Sequence, residues 1–366
     1  MTIKEIQLPF YAKASLLTIG LFTFIAMLYI AQGIIVPLIF SIILAIVLHP
    51  VVNFFVNRKI NRIVAIIFTL ILTIIIIGLF GAFLFSQAIR FGETWPKMVE
   101  KFTELFSEAT AWASGYFDLS PQEITEWVTK SKGELVNTSG AAVGKTLINV
   151  GSGLVMLFII PVYIFMLLFY HPLLLEFIRR VFGADNRSMV SQIVTEIKKV
   201  IQKYLTGLFI EVIIISVLHS VGLLILGIQY AILLGIIGAL LNLIPYIGGI
   251  VSVALPMMVA LATKTSPWIA VYVLLIYYVI QLIDNNYIIP KIVASKVRIN
   301  ALVSIIVVLA FGALWGIPGM FISIPVTAII KVIFDHIEPL KPWGFLLGDT
   351  MPPTFKIKPL IDKILK

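Results

Sequence analysis

The chain has 366 residues, 60% of them hydrophobic and 12% charged, and a mean hydropathy of +1.08. Soluble globular domains run nearer half apolar and a quarter charged, so this composition excludes a water-soluble protein and describes one that crosses a bilayer several times. The formal charge of +9 falls on short loops and implies no nucleic-acid partner, and the absence of cysteine excludes disulfides and thiolate chemistry while leaving the redox compartment open.

In chain order, Lys4 and Lys13 precede an apolar run far longer than a signal-peptide core, which reads as a retained first helix over 12–31. After the tight turn Gln32-Gly33 a second helix takes 33–56, closed by Arg58, Lys59 and Arg62, and a third takes 61–89, so that 1–89 is an N-terminal unit of three helices. Residues 90–145 change character: Glu93, Glu100, Glu104 and Glu108 interleave with Trp95, Phe102, Leu105 and Trp112 at roughly helical spacing. This predicts an extracytoplasmic amphipathic insert, read either as a gate or assembly surface or as a solvated pair of helices near the interface. Helix four, from about 146 to 170, and a basic cytoplasmic linker helix with Arg179, Arg180, Arg187, Lys198, Lys199 and Lys203 make up 146–203. His49-Pro50 and His171-Pro172 read as helix ends at the inner face. A core over 204–335 and a cytoplasmic tail over 336–366 complete the chain.

Within that core, 227–263 is too long for one crossing: at about 1.5 Å per residue it would exceed 50 Å, against a hydrocarbon layer of roughly 30 Å. It is interrupted at Asn242, Pro245, Gly248 and Gly249, with Pro256 a second weak point. The segment 299–330 repeats the pattern, with Gly312, Gly316, Gly319, Pro318 and Pro325, and each carries Gly-Ala-Leu before its break. The expected fold is therefore all-α and polytopic, with about eight membrane elements, two of them broken as re-entrant hairpins in inverted arrangement. Freed backbone at membrane depth is tolerated where it is buried or lines a wet cavity, so paired breaks point to a transporter's binding site. With both hairpins returning to their own side, the inner parts hold 20 Lys and Arg against 7 outside; full crossings give 18 against 9. Both counts put both termini in the cytoplasm.

Tyr204-Leu205 with Gly207, Leu226-Gly227 with Tyr230-Ala231, Gly235, the run Asn242-Leu-Ile-Pro245-Tyr-Ile-Gly248, Gln281, Asp284-Asn285, Pro290-Lys291, Gly312, Gly316, Gly319 and Pro325 occur in an order and spacing that resembles the autoinducer-2 exporter family of bacterial membrane proteins. The resemblance covers about 200–335; the N-terminal half agrees only in helix layout and in Leu48-His49-Pro50. It implies export of a small polar signal molecule for some members and exchange of sodium or lithium for protons for others.

The candidate substrate-binding residues are Asn242, Pro245, Gly248, Gly249, Gly316, Gly319 and Pro325, with Pro256, Pro290 and Gly312 structural. Glu211 in helix five and Asp284 with Asn285 at the inner end of helix seven are the candidate ion-coupling groups; each reads alternatively as a packed carboxylate or a helix terminus closed by Asx bonding. His219 lies on about the face of Glu211, as a proton relay or a polar packing residue. No phosphate-cradling loop and no HExxH motif is present, which argues against an enzyme and against any cofactor or metal. The expected function is a secondary transporter of the bacterial inner membrane that exports a small polar solute such as autoinducer-2 by alternating access at the two broken segments, expected to face each other near the midplane, coupled to an ion gradient, with a Na⁺(Li⁺)/H⁺ antiporter and a non-transporting scaffold as alternatives. The expected partners are the solute, Na⁺ or H⁺, the lipid bilayer and further copies of the chain in a homo-oligomer.

Overall fold

The computed structural model describes residues 9–114, 158–183, 186–244, 248–293 and 299–350, and throughout them the protein is all-α. Six of the described helices are long and apolar enough to cross a bilayer, or seven if the pair Phe158–Phe169 (α4) and His171–Val181 (α5), bent by 65°, is counted as one. Helices α1 (Phe10–Ile30) and α2 (Gln32–Asn57) are joined by Ala31 alone. Contrary to the sequence reading, His49-Pro50 does not end a helix: α2 runs through it. Pro50 has no N–H for the carbonyl of Ile46, but Gln202 Nε2 donates to that oxygen at 2.7 Å, so the helix continues without a buried orphan acceptor.

Helix α3 spans Arg62–Ser114, well past the expected end at 89, and carries the start of the insert as its own continuation. The reason is packing. Met98 is buried in one cluster with Leu223, Ile228, Ala231 and Val259, Val99 beside it is buried as well, and this burial outweighs the bond lost at Pro96. The insert beyond Ser114 lies outside the described residues.

Helix α6 (Arg187–Ile225) joins what the sequence reading divided near 203, since nothing between its ends breaks a helix. Its inward stripe is Tyr204, Gly207, Glu211, Ile215, His219 and Gly222, spaced three or four apart. Gly227 at φ 63° ends it, with Ile228 N–H bonded to the Leu223 carbonyl and Gly227 N–H to that of Leu224, the Schellman arrangement that a residue with free positive φ permits.

Two hairpins flank α6. In the first, α7 (Ala231–Asn242) and α8 (Gly248–Thr263) run antiparallel: Ala231 and Leu234 share a cluster with Val259 and Ala260, and Gly227 lies beside Lys264. Limbs of 12 and 16 residues reach roughly 18 and 24 Å, short of a crossing. The second is α10 (Ala301–His336), folded at Gly316, whose φ 65° and ψ −148° are not helical. Asn300 Nδ2 donates to the Gly348 carbonyl at 3.0 Å and Lys331 also packs on Gly348, although an unbroken helix would hold Asn300 and Lys331 about 46 Å apart. The short helix α11 (Lys341–Leu347) is thereby clipped to the base of this hairpin. The base of the first hairpin sits at the C-terminal end of α6, by Leu223. That of the second sits at the N-terminal end, where His336 Nε2 is 3.4 Å from Glu196 Oε2 and Ala328 packs with Tyr204. The hairpins therefore enter from opposite ends of α6, the inverted arrangement of the sequence reading. Gly248 and Ser252 of one correspond to Gly319 and Ser323 of the other at a constant offset of 71 residues, with each serine hydroxyl donating to the carbonyl three residues back.

Candidate functional site

Helix α9 (Trp268–Ile283) lies antiparallel to α6, and glycines let the two approach. A Cβ on Gly222 would stand 2.6 Å from the Ile276 side chain, and one on Gly207 would stand 2.6 Å from the Ile292 carbonyl oxygen. Between these two contacts Ile215 shares a cluster with Ile280 and Ile288, one turn either side of Asp284, which places Asp284 by Ile215, one turn along α6 from Glu211. Asp284 is fully buried and Glu211 is 5% exposed.

The polar turn expected at Asp284-Asn285-Asn286 is instead the first part of a π-helical stretch, Asp284–Val293, that prolongs α9 through Pro290. Asn286 Nδ2 donates to the Leu282 carbonyl at 2.8 Å and Gln281 Nε2 to Asn285 Oδ1 at 3.3 Å, so the amides fasten the chain to the preceding turn instead of reversing it. Wide turns of this kind are frequent at functional sites because the extra residue re-aims side chains.

The tip of the first hairpin completes the cluster. Asn242 Nδ2 donates to Asp284 Oδ2 at 2.8 Å. A Cβ on Gly249 would be 2.8 Å from Gln281 Oε1, the movable end of a side chain, whereas one on Gly248 would overlap the Leu241 carbonyl, so Gly248 is required by close approach. Two turns from Glu211, His219 stacks on Tyr277 with ring centroids 4.0 Å apart, and Gly238 leaves room for both. Among the described residues, four buried polar side-chain atoms have no hydrogen-bond partner: Glu211 Oε2, Asp284 Oδ1, His219 Nδ1 and the Tyr277 hydroxyl. In a bilayer each such atom costs free energy unless it is bonded, and a cluster of them suits a cation, a proton or a polar solute.

Of the residues singled out from sequence, the structure thus gathers Glu211, Asp284, Asn242, Gly248 and Gly249, with Asn285 exposed at the edge and joined to them only through Gln281, while Pro245 lies outside the described residues. It does not bring the second break to them. Gly316, Gly319 and Pro325 belong to α10, whose tip packs in an apolar cluster with Val36, Ile43 and Ile201, and Trp315 Nε1 donates to the Leu28 carbonyl of α1 at 3.1 Å. Gly312 seats the Met320 side chain, Pro256 lies within α8 and Pro290 within the π-helical stretch. Sequence reasoning gave no role to Tyr277 and quoted Gln281 only within a motif. Their signal was the stripe Tyr277, Gln281, Asp284, Ile288, one face of a single helix.

The profile of the AI-2E family transporters matches residues 17–338. The chain is 29% identical over 182 residues to PerM, a candidate permease of Escherichia coli (strain K12), which covers 49% of this chain and 50% of PerM. It is 27% identical over 158 residues to YueF, a candidate transport protein of Bacillus subtilis (strain 168), covering 43% and 42% of the two chains. With a candidate transport protein of Haemophilus influenzae it shares 33% identity over 140 residues, 37% of this chain and 40% of the relative. The aligned stretches span half or less of the length of these relatives.

Proposed function

The chain belongs to the AI-2E transporter family and is a multi-pass membrane protein, and from that premise we propose that it is a secondary transporter of the bacterial inner membrane, with both termini in the cytoplasm, exporting a small polar solute such as autoinducer-2. The observation that carries this reading is the buried pair Glu211 and Asp284, each with an unpartnered oxygen, against the tip of a hairpin too short to cross. A proton or a cation on this pair removes the cost of the bare carboxylates and frees the hairpin to shift. Loss of that ion on the other side restores the charge, and the tip closes again on Asp284 through Asn242. The cycle is alternating access, with an ion gradient as its driving force.

Proteoliposomes with imposed ion gradients test it. Glu211→Gln should abolish gradient-driven accumulation while retaining solute exchange; accumulation at the wild-type rate would remove the carboxylate from the mechanism. A Na⁺(Li⁺)/H⁺ antiporter is the second reading, favoured by the oxygen-rich donor set of Glu211, Asp284, Asn242 and Asn285, which suits Na⁺. Na⁺-dependent proton movement in vesicles free of any organic solute separates the two. Helix α1 has no fully buried residue, which leaves most of its apolar surface for lipid or for further copies in a homo-oligomer; the mass of the protein in mild detergent decides.

A further inference from the structure

Away from the carboxylate pair, four helices bring basic groups together near the bend between α4 and α5. Lys198 of α6 donates from Nζ to His171 Nε2 at 2.6 Å, the His171 and His49 rings lie 4.9 Å apart, and Arg62 of α3 donates to the Leu168 carbonyl at 2.6 Å. The tautomers follow. Because an ammonium can only donate, His171 Nε2 is an acceptor and its Nδ1 carries the proton; because Asn53 Nδ2 donates to His49 Nδ1 at 3.2 Å, His49 carries its proton on Nε2. The cluster therefore presents only donors: two imidazole N–H groups, the remaining ammonium protons and the remaining guanidinium N–H groups. Among the described residues no carboxylate pairs with any of them, for Glu176 is engaged by Arg180 at 3.1 Å and Glu196 by His336. All four groups are half-buried and open to the surface.

We propose that this cluster binds a phosphate-type oxyanion, the phosphoryl group of an anionic lipid in the leaflet that faces the Lys- and Arg-rich side. A tetrahedral anion with several acceptor oxygens satisfies donors arriving from different helices, and Arg and Lys together supply a fork and a point charge. Helix α5, which starts at His171, argues for the lipid over a free ion: Leu173, Phe177 and Val181 repeat every fourth residue and are 62–63% exposed, an apolar edge that suits a helix lying in the membrane interface. The bound lipid would tie α2, α3, α5 and α6 together at their inner ends.

The full-length protein in detergent, exposed to equal amounts of phosphatidylglycerol and phosphatidylcholine and weighed intact by native mass spectrometry, tests this. Wild type should retain phosphatidylglycerol over phosphatidylcholine. Lys198→Gln should lower that preference about fivefold, the effect of about 1 kcal/mol from one basic group at an anionic surface, while Lys198→Arg should keep it and Lys264→Gln, at the far end of α6, should leave it unchanged. Millimolar inorganic phosphate that displaces the phosphatidylglycerol, with loss of the effect in Lys198→Gln, would retain the oxyanion site and reassign its occupant to a free ion. Wild type without preference for the anionic lipid and without a phosphate effect would overturn the proposal, with no variant needed. Equal preference in folded Lys198→Gln and wild type would overturn it as well.

Discussion

At the tip of the α7–α8 hairpin Gly248 lies against the Leu241 carbonyl, and at the tip of α10 Gly319 lies against that of Phe311, each where a Cβ would overlap a backbone oxygen. Four residues beyond, Ser252 and Ser323 are both buried and both bond back to a carbonyl. The backbone solution is shared, but the surroundings are opposite. The first tip bonds through its own Asn242 to the buried carboxylate of Asp284; the second is set among Val36, Ile43 and Ile201. Sharp reversal at membrane depth is thus a matter of glycine and close backbone contact, whereas polar chemistry is a separate addition, present at one tip only. That asymmetry suits one working hairpin and one anchoring hairpin better than a symmetric pair of gates.

The sharpest way to break this comparison is to change chemistry without shape. Asp284→Asn should remove most of the ion's effect on solute affinity, about 5- to 150-fold for an ordinary coupling free energy, and slow ion-coupled transport accordingly. It should not lower thermal stability in detergent, because a buried carboxylate oxygen without a partner is costly and its amide isostere carries no charge. Ser323→Ala at the second tip should leave the ion dependence of transport as it is. Loss of ion coupling in Ser323→Ala would make both tips functional.

Changing shape without chemistry should instead affect both tips alike. Gly248→Ala and Gly319→Ala each force a methyl into a backbone carbonyl, which cannot rotate away, so each should cost about 1–3 kcal/mol of unfolding free energy or more. A tolerated alanine at either position would mean that this tip relaxes and that the shared backbone solution is not required.

The hairpins were legible because length and glycine pattern are properties of the chain alone: a charge-free stretch too long for one crossing and broken by Gly and Pro must fold back. Their inverted entry followed from counting Lys and Arg. The pairing of Glu211 with Asp284 was not legible, since it depends on the register between α6 and α9, which Gly207 and Gly222 set by contacts with Ile292 and Ile276. Nor was the continuity of α2 through Pro50, which rests on a hydrogen bond from Gln202, far away in sequence. The expectation that the two breaks face each other followed from symmetry, and symmetry in sequence says nothing about which neighbours each tip finds.

Gly316 offers a control that separates conformation from space. Nothing lies within 4 Å of where its Cβ would be, yet its φ 65° and ψ −148° fall in a region that only glycine visits readily. Gly316→Ala should therefore cost about 1–3 kcal/mol by backbone strain alone, measured as a lower thermal midpoint with the ion dependence of transport unchanged.

The smallest expected effect is at Trp315. The last carbonyls of α1 have no partners within the helix, and Trp315 Nε1 caps one of them, that of Leu28, at 3.1 Å. The ring itself packs edge-on against Phe311 with centroids 5.4 Å apart, so Trp315→Phe keeps most of the apolar contact and removes the donor. The loss should be about 1 kcal/mol, the net value of an ordinary hydrogen bond, seen as a small fall in thermal midpoint. Asn242→Leu removes one hydrogen bond at the other tip, but there the abandoned partner is Asp284 Oδ2, a buried carboxylate oxygen, so the cost should be larger and should appear in ion coupling as well. The two substitutions delete the same number of bonds, one to a carbonyl at a helix end and one to a buried charge. If Trp315→Phe altered ion coupling as much as Asn242→Leu, the second tip would belong to the moving site, and an anchoring role for it would be untenable.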